Sequence, residues 1–155
     1  HLMIERPEDA ISSYTELNPW GITIHHESTR FPARLLSAIR EKKIVAGLSI
    51  NPATPVETIF DILPYADMVL IMSVDPGFYG QAFMPQALRR IEKLASFAGK
   101  DGLTDLQIQV DGGINKDNIA QVVSAGARII VAGGSAFRDG KVNENIRILK
   151  KSCGL

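Results

Sequence analysis

Short runs of apolar residues alternate with longer segments of helical spacing along the whole chain. The apolar runs predict six strands, at residues 2–4, 22–25, 45–50, 68–74, 108–110 and 129–132. The intervening segments predict six helices, at residues 7–17, 31–41, 55–63, 85–97, 116–124 and 142–150. The pattern therefore indicates six strand–helix units within one domain, residues 1–155.

The predicted strands are almost continuously apolar, which is typical of parallel strands covered on both faces. Local signals agree with two helix boundaries: Thr54 before Pro55 suggests an N-cap, and Gly126 suggests a stop after Ala125. Two architectures repeat strand–helix units, the open doubly wound sheet and the closed (β/α)8 barrel.

Polar and glycine-rich clusters follow the strands at residues 25–27, 51–52, 75–81, 111–115 and 133–135. Both architectures carry their sites there, but two glycine clusters after consecutive strands near the C-terminus favour the barrel, whose phosphate site is usually built by its last two loops. A compact barrel needs about 200 residues. We therefore expect an incomplete (β/α)8 TIM barrel, an α/β fold, with six units present.

The amino-acid composition limits the kinds of partner that we expect. Of 155 residues, 45% are hydrophobic and 22% are charged, with 17 basic and 17 acidic side chains, so we expect neither nucleic acid nor membrane as a partner. The single cysteine, Cys153, fits a reducing compartment, and we expect a cytoplasmic protein. No apolar run approaches the roughly 18–20 residues that span a bilayer.

Three segments could carry chemistry. In VDGGIN, Asp111 ends a strand before two glycines, which suggests a general base or a metal ligand, or else a solvated turn aspartate. VAGGSAF offers backbone N–H groups to an anion, or is a turn without a ligand. SVDPGFYGQAF is long for a strand–helix loop and predicts a lid or phosphate-contacting wall, or a loop folded around Phe78.

The histidines and two of the methionines do not indicate a function by themselves. The three histidines, His1, His25 and His26, are by default structural, and Met3 and Met72 on predicted strands are by default core residues. The chain has neither of the common glycine-rich nucleotide-binding motifs and no structural-zinc spacing.

Taken in order, six motifs resemble those of the ribulose-phosphate 3-epimerase family. HLMIERP resembles the third-strand motif, ITIHHES the fourth, GLSINPATPVE the fifth and MSVDPGFYGQAF the sixth. VDGGIN and VAGGSAF resemble the seventh and eighth. The resemblance implies a (β/α)8 barrel that inverts C3 of a ketose phosphate through an enediolate. It also implies two aspartates, one on each face of that carbon, and one divalent metal ion, which could be Zn, Fe, Mn or Co.

The resemblance implies roles for individual residues. His1 and Asp111 match metal ligands, and Asp111 also matches one acid–base group. His25 and Glu27 match a supporting pair. The residues that match substrate contacts are His1, Met3, Met72, Gly77, Phe78, Tyr79, Gly80, Asp111, Gly112, Gly113, Gly133, Gly134 and Ser135.

The chain also departs from the family pattern. The second-strand motif H-x-D-x-M-D-G, which carries the other aspartate and two metal ligands, has no counterpart here, and neither does the first-strand serine. We therefore expect the first two strand–helix units to be missing. Tyr79 stands where pentulose-phosphate members usually have glycine, and Gly134 where Ser or Thr is common.

Several interpretations stay open. The first is a metal-dependent epimerase that converts ribulose 5-phosphate to xylulose 5-phosphate, with allulose 6-phosphate as the alternative substrate. The second is a non-catalytic sugar-phosphate-binding remnant. The third is another phosphate-binding barrel, such as a decarboxylase or a thiamin-phosphate synthase relative. We also expect a homo-oligomer, since an open barrel exposes apolar strand edges.

Overall fold

The five strands form one parallel sheet in the order in which the chain makes them. A computed structural model describes residues 1–154, with strands β1 Gly21–His25, β2 Val45–Ile50, β3 Met68–Met72, β4 Gln107–Asp111 and β5 Ile129–Val131. Each pairs in parallel with the next, in the order β1-β2-β3-β4-β5. A doubly wound sheet reverses its strand order, whereas a barrel winds in one direction. The sheet therefore has the winding of a barrel wall.

Helices alternate with the strands along the chain. They are α1 Ile11–Glu16, α2 Pro32–Glu41, α3 Gln86–Lys100, α4 Ile119–Ser124, α5 Gly133–Phe137 and α6 Val142–Ser152. Short 3-10 helices lie at Pro7–Asp9, His26–Ser28, Val56–Tyr65 and Arg138–Gly140. No helix in residues 1–154 has both the length and the apolar character needed to cross a bilayer.

The structure corrects the predicted first unit. Residues 2–4 do not form a strand; a single parallel bridge joins Leu2 to Ile24, where the Leu2 N–H donates to the Thr23 carbonyl over 2.9 Å. The backbone then turns away at Arg6, whose φ is 51°. The predicted helix at residues 7–17 is accordingly split into a 3-10 turn and the short helix α1.

Two further predictions were wrong in detail. The segment at residues 55–63 is a 3-10 helix, Val56–Tyr65, which contains Pro64. Thr54 is not its N-cap, because the Thr54 hydroxyl donates to the Glu27 carboxylate. In contrast, Gly126 ends α4 as predicted, with a φ of 123° and its N–H on the Val123 carbonyl.

The two faces of the sheet have different partners. The outer face packs under the helices, where α3 buries a stripe at i, i+4, i+7 and i+11. That stripe consists of Ala87, Ile91, Leu94 and Ala98. The inner face carries a separate small cluster, Leu70, Met72 and Val74. Successive side chains along β3 therefore lie alternately in the core under the helices and on the inner face of the sheet.

Candidate active site

A cleft of about 890 Å³ lies at the carboxyl end of the sheet, between the loops that follow β3, β4 and β5. All of the predicted site residues except His1 line it: Met3, Met72, Gly77, Phe78, Tyr79, Gly80, Asp111, Gly112, Gly113, Gly133, Gly134 and Ser135. Parallel strands bring their carboxyl ends to one edge, so loops far apart in sequence meet there.

Asp111 occupies the centre of this edge. In the sheet register it is opposite Met72 on one side and Val131 on the other, so three neighbouring strands end in one row. Burial raises the pKa of the Asp111 carboxyl above its usual value, and a hydrogen bond from the Gly112 backbone partly opposes that rise. A carboxyl that titrates closer to neutrality is better suited to exchange a proton with a ligand.

The loop after β3 is anchored at its base. The Met84 N–H donates to the Ser73 carbonyl over 2.9 Å, and the Ser73 hydroxyl donates to the carbonyls of Asp111 and Gly112 over 2.8 and 2.7 Å. The Gln81 amide donates to backbone carbonyls on the other side of the loop. The loop is not folded around Phe78, whose side chain is 71% exposed.

Gly113 is where two of the loops touch. Its φ is 62°, and a Cβ at this position would stand 2.3 Å from the Phe83 nitrogen. Both the backbone conformation and the close approach therefore require glycine. This contact fixes the β3 loop against the β4 loop on one side of the cleft.

The segment after β5 forms the facing wall. Gly133, Gly134 and Ser135 begin α5, so their backbone N–H groups have no intrahelical acceptor. The Ser135 hydroxyl donates to the Ile114 carbonyl, which ties this wall to the β4 loop. α5 was not predicted, because two consecutive glycines are typical of a turn.

A second polar group lies at the β1 end of the sheet. His25 is 5% exposed and its Nε2 is 2.8 Å from the Nε2 of His1, with the two rings stacked at 4.9 Å. Its Nδ1 lies 3.5 Å from the Glu27 carboxylate, which accepts the Asn51 N–H over 2.7 Å. His1 is therefore held by His25 and does not line the cleft.

The Glu27 carboxylate is strongly stabilised in its ionised form. Burial alone would raise its pKa, but hydrogen bonds from His25, Thr54 and Asn51 together outweigh burial and lower the pKa to about 2. Sequence reasoning assigned His25 and Glu27 a supporting role by resemblance, without these contacts.

Arg90 is a structural residue of the site that the sequence analysis missed. From α3 its guanidinium donates to the Met72 carbonyl over 3.0 Å and to the Asn51 carbonyl over 2.7 Å. It thereby joins the carboxyl ends of β2 and β3. The sequence feature that could have indicated Arg90 is the position of this basic residue beside Ile91, which belongs to the apolar stripe of α3.

Arg138 was also missed. Within the described residues it is the one basic side chain that lines the cleft. It follows the glycine motif by four residues, at the 3-10 turn after α5. An anionic ligand in the cleft would meet this positive charge and the backbone donors, but also the three carboxyl groups that line the cleft, those of Asp75, Asp111 and Asp139.

The donors available for the metal ion expected from the sequence are His1 and Asp111. A histidine nitrogen and an aspartate oxygen suit first-row transition metals. However, residues 1–154 contain no group of three or more His, Cys, Asp or Glu side chains placed to hold an ion. On their own, these residues do not form a metal centre.

The fold and the edge site define a class: a parallel α/β barrel whose chemistry lies at the carboxyl ends of its strands. Solved structures agree. A 3-hexulose-6-phosphate synthase matches with a TM-score of 0.70 at 17% identity, over 96% of this chain and 69% of that one. Thiamine phosphate pyrophosphorylase from Pyrococcus furiosus matches at 0.61 and 19%, over 96% and 64%. At such identities the likeness concerns the fold alone.

Sequence comparisons are more specific. The model of the ribulose-phosphate 3 epimerase family matches residues 1–137, and the chain belongs to this family. Ribulose-phosphate 3-epimerase of Candida glabrata is 38% identical over 97% of this chain and 59% of its own length. That of Synechocystis is 40% identical over 98% of this chain and 66% of its own. The chain spans about three-fifths to two-thirds of these two relatives.

Proposed function

We propose that the protein catalyses 3-epimerisation of a ketose phosphate, the interconversion of ribulose 5-phosphate and xylulose 5-phosphate. The observation that carries this proposal is Asp111, a carboxyl with a raised pKa at the centre of a cleft lined by backbone donors. The relatives named above are ribulose-phosphate 3-epimerases, which supports the pentulose as substrate.

Asp111 acts on one face of the substrate. Its carboxylate takes the proton from C3, the C–H electron pair forms the C2–C3 double bond, and the carbonyl oxygen becomes the enediolate oxygen. Return of a proton to the opposite face completes inversion without net oxidation or reduction. One carboxyl serves one face only, and the resemblance assigns the second face to an aspartate that has no counterpart in this sequence.

A divalent ion is part of the proposal. Asp111 would supply one oxygen ligand, whereas His1, the other ligand that the resemblance implies, is held by His25 outside the cleft, and residues 1–154 do not form a metal centre by themselves. When bound, such an ion supplies positive charge that stabilises the enediolate oxygen.

The phosphate group would lie against the wall after β5. The N–H groups of Gly133, Gly134 and Ser135 have no intrahelical acceptor, and Arg138 adds a positive charge. Met3 and Met72 line the cleft and would contact the apolar side of the sugar carbons.

The proposal is tested by turnover with two ketose phosphates. We expect the protein to convert ribulose 5-phosphate, in the presence of Zn²⁺ or Mn²⁺, with a larger kcat/KM than allulose 6-phosphate. A larger kcat/KM for allulose 6-phosphate would show that the hexulose phosphate is the substrate. Binding of both sugars without conversion of either would support the non-catalytic alternative.

We also propose a cytoplasmic homo-oligomer. The support is apolar surface beside β1, where Leu17 and Trp20 are 76% and 71% exposed. Light scattering across a concentration series would detect the association.

A further inference from the structure

Tyr79 and Gly134 lie against each other across the cleft. The Tyr79 hydroxyl oxygen is 2.7 Å from the point at which a Cβ on residue 134 would stand, and the ring carbon bearing that hydroxyl is 3.3 Å from it. Real Cβ contacts below 3.0 Å are essentially absent from proteins. A side chain at 134 and the hydroxyl of Tyr79 therefore compete for the same space.

The Tyr79 hydroxyl is free to bind a ligand. The side chain is 82% exposed and lines the cleft, and its hydroxyl takes part in no hydrogen bond among residues 1–154. Gly77 and Gly80 flank this part of the loop with φ values of 121° and 87°, and both have open space around them. The tyrosine can thus adjust its position against a ligand without disturbing the anchored base of the loop.

Gly134 has no conformational need to be glycine. It has no left-handed backbone conformation, unlike Gly112 and Gly113, and it begins α5 with ordinary helical geometry. The Tyr79 hydroxyl is the nearest group to that position, so a side chain at 134 would require the exposed end of the tyrosine to shift. The two departures from the family pattern noted in the sequence are therefore one feature of the structure.

We propose that Tyr79 is a phosphate-binding residue paired with Gly134. Its hydroxyl takes the space of a residue-134 side chain and donates a hydrogen bond to the phosphate of the substrate. The inference rests on the proposed function for the nature of the ligand. It adds a donor that comes from the β3 loop and not from the β5 segment, so phosphate binding couples the two walls of the cleft.

The test is a mutant cycle on the full chain, with inorganic phosphate as the probe. The variants are Tyr79→Phe, Tyr79→Gly, Gly134→Ser and the double variant Tyr79→Gly/Gly134→Ser. The control is Tyr65→Phe, since Tyr65 is an exposed tyrosine that ends the Val56–Tyr65 helix away from the cleft. Calorimetry gives the Kd for phosphate, and thermal unfolding verifies that each variant is folded.

We expect Tyr79→Phe to weaken phosphate binding about tenfold, at the low end for a hydrogen bond to a charged group. Tyr79→Gly should weaken it similarly because it also removes the hydroxyl, whereas Gly134→Ser should stay within about threefold of the unmodified protein because its serine supplies a hydroxyl where it displaces that of Tyr79. The double variant should return to within about threefold of the unmodified protein, since serine then supplies the hydroxyl without a clash. Tyr65→Phe should not change the Kd.

Three results would overturn the pairing. They are unchanged phosphate affinity in folded Tyr79→Phe, a double variant no better than Tyr79→Gly, and no measurable phosphate binding by the unmodified chain. The proposed function fails separately. If the cycle behaves as expected but ribulose 5-phosphate is not converted, the epimerase proposal is wrong and the pairing stands.

Discussion

The Glu27 carboxylate should make folding stability depend on pH. Glu27 lies between His25 and the loop after β2, and its side chain is 28% exposed. Its pKa of about 2 is below the ordinary value of 4.5. At 1.36 kcal/mol per pKa unit this difference corresponds to an upper limit of about 3.4 kcal/mol. Since water reaches part of the side chain, screening reduces our expectation to about 1–2 kcal/mol.

The direction of the pH dependence follows from the linkage between protonation of Glu27 and folding. The folded pKa is depressed, so the stabilisation is fully present above the unfolded pKa of 4.5 and is lost as pH falls towards 2. By pH 3 less than half of it should remain. Glu27→Gln keeps an oxygen that can accept the Asn51 N–H but removes the charge. It should therefore be about 1–2 kcal/mol less stable than the unmodified protein at pH 7.

The assay is urea unfolding followed by circular dichroism between pH 3 and pH 7. The difference in free energy of unfolding between Glu27→Gln and the unmodified protein should be constant above about pH 5 and shrink below it. Glu57→Gln is the control, because Glu57 pairs with Lys93 at the surface, where ion pairs contribute little. A Glu27→Gln difference that does not vary with pH would refute the reasoning.

Two further substitutions test the structure around the cleft, both by urea unfolding. Gly113→Ala should destabilise the fold by at least about 2 kcal/mol, because alanine is strained at a φ of 62° and its Cβ would overlap the Phe83 nitrogen. The control is Gly99→Ala, in open space within α3, which should stabilise the fold by about 0.5–1 kcal/mol. Arg90→Met should cost about 1–3 kcal/mol because two strand-end carbonyls lose their donor, whereas the exposed neighbour Arg89→Met should change stability by at most about 0.5 kcal/mol. Equal effects of a test variant and its control would contradict the corresponding assignment.

Much of the sheet could be predicted because each buried parallel strand is a short, continuous run of apolar residues in the sequence. The five strands lie within two residues of their predicted ends. The segment at residues 2–4 has the same apolar character but makes only one bridge, since strand formation depends on a neighbour and not on the segment itself. The 3-10 helix Val56–Tyr65 has helical spacing, and periodicity does not distinguish the two helix types over so short a segment.

The cleft was predictable to a similar degree. Residues at the carboxyl ends of parallel strands must share one edge, so Asp111 and the glycine motifs were expected to converge, and they do. The contacts of Arg90 with Met72 and Asn51, and that of His25 with His1, join residues 18 or more positions apart. No local pattern specifies such pairs. The space that Tyr79 takes from residue 134 likewise exists only once the loops are assembled.

In the proposed function, Asp111 exchanges the C3 proton of a ketose phosphate. The most direct measurement is incorporation of deuterium at C3 of ribulose 5-phosphate in D₂O, followed by NMR for the unmodified protein and for Asp111→Asn, each with Zn²⁺ or Mn²⁺. A positioned acid–base group accelerates proton transfer by about 10²- to 10⁴-fold, so the variant should lose at least about 100-fold of the exchange rate. It should still bind inorganic phosphate. Exchange in folded Asp111→Asn within about threefold of the unmodified rate, or no exchange by the unmodified protein, would contradict the account.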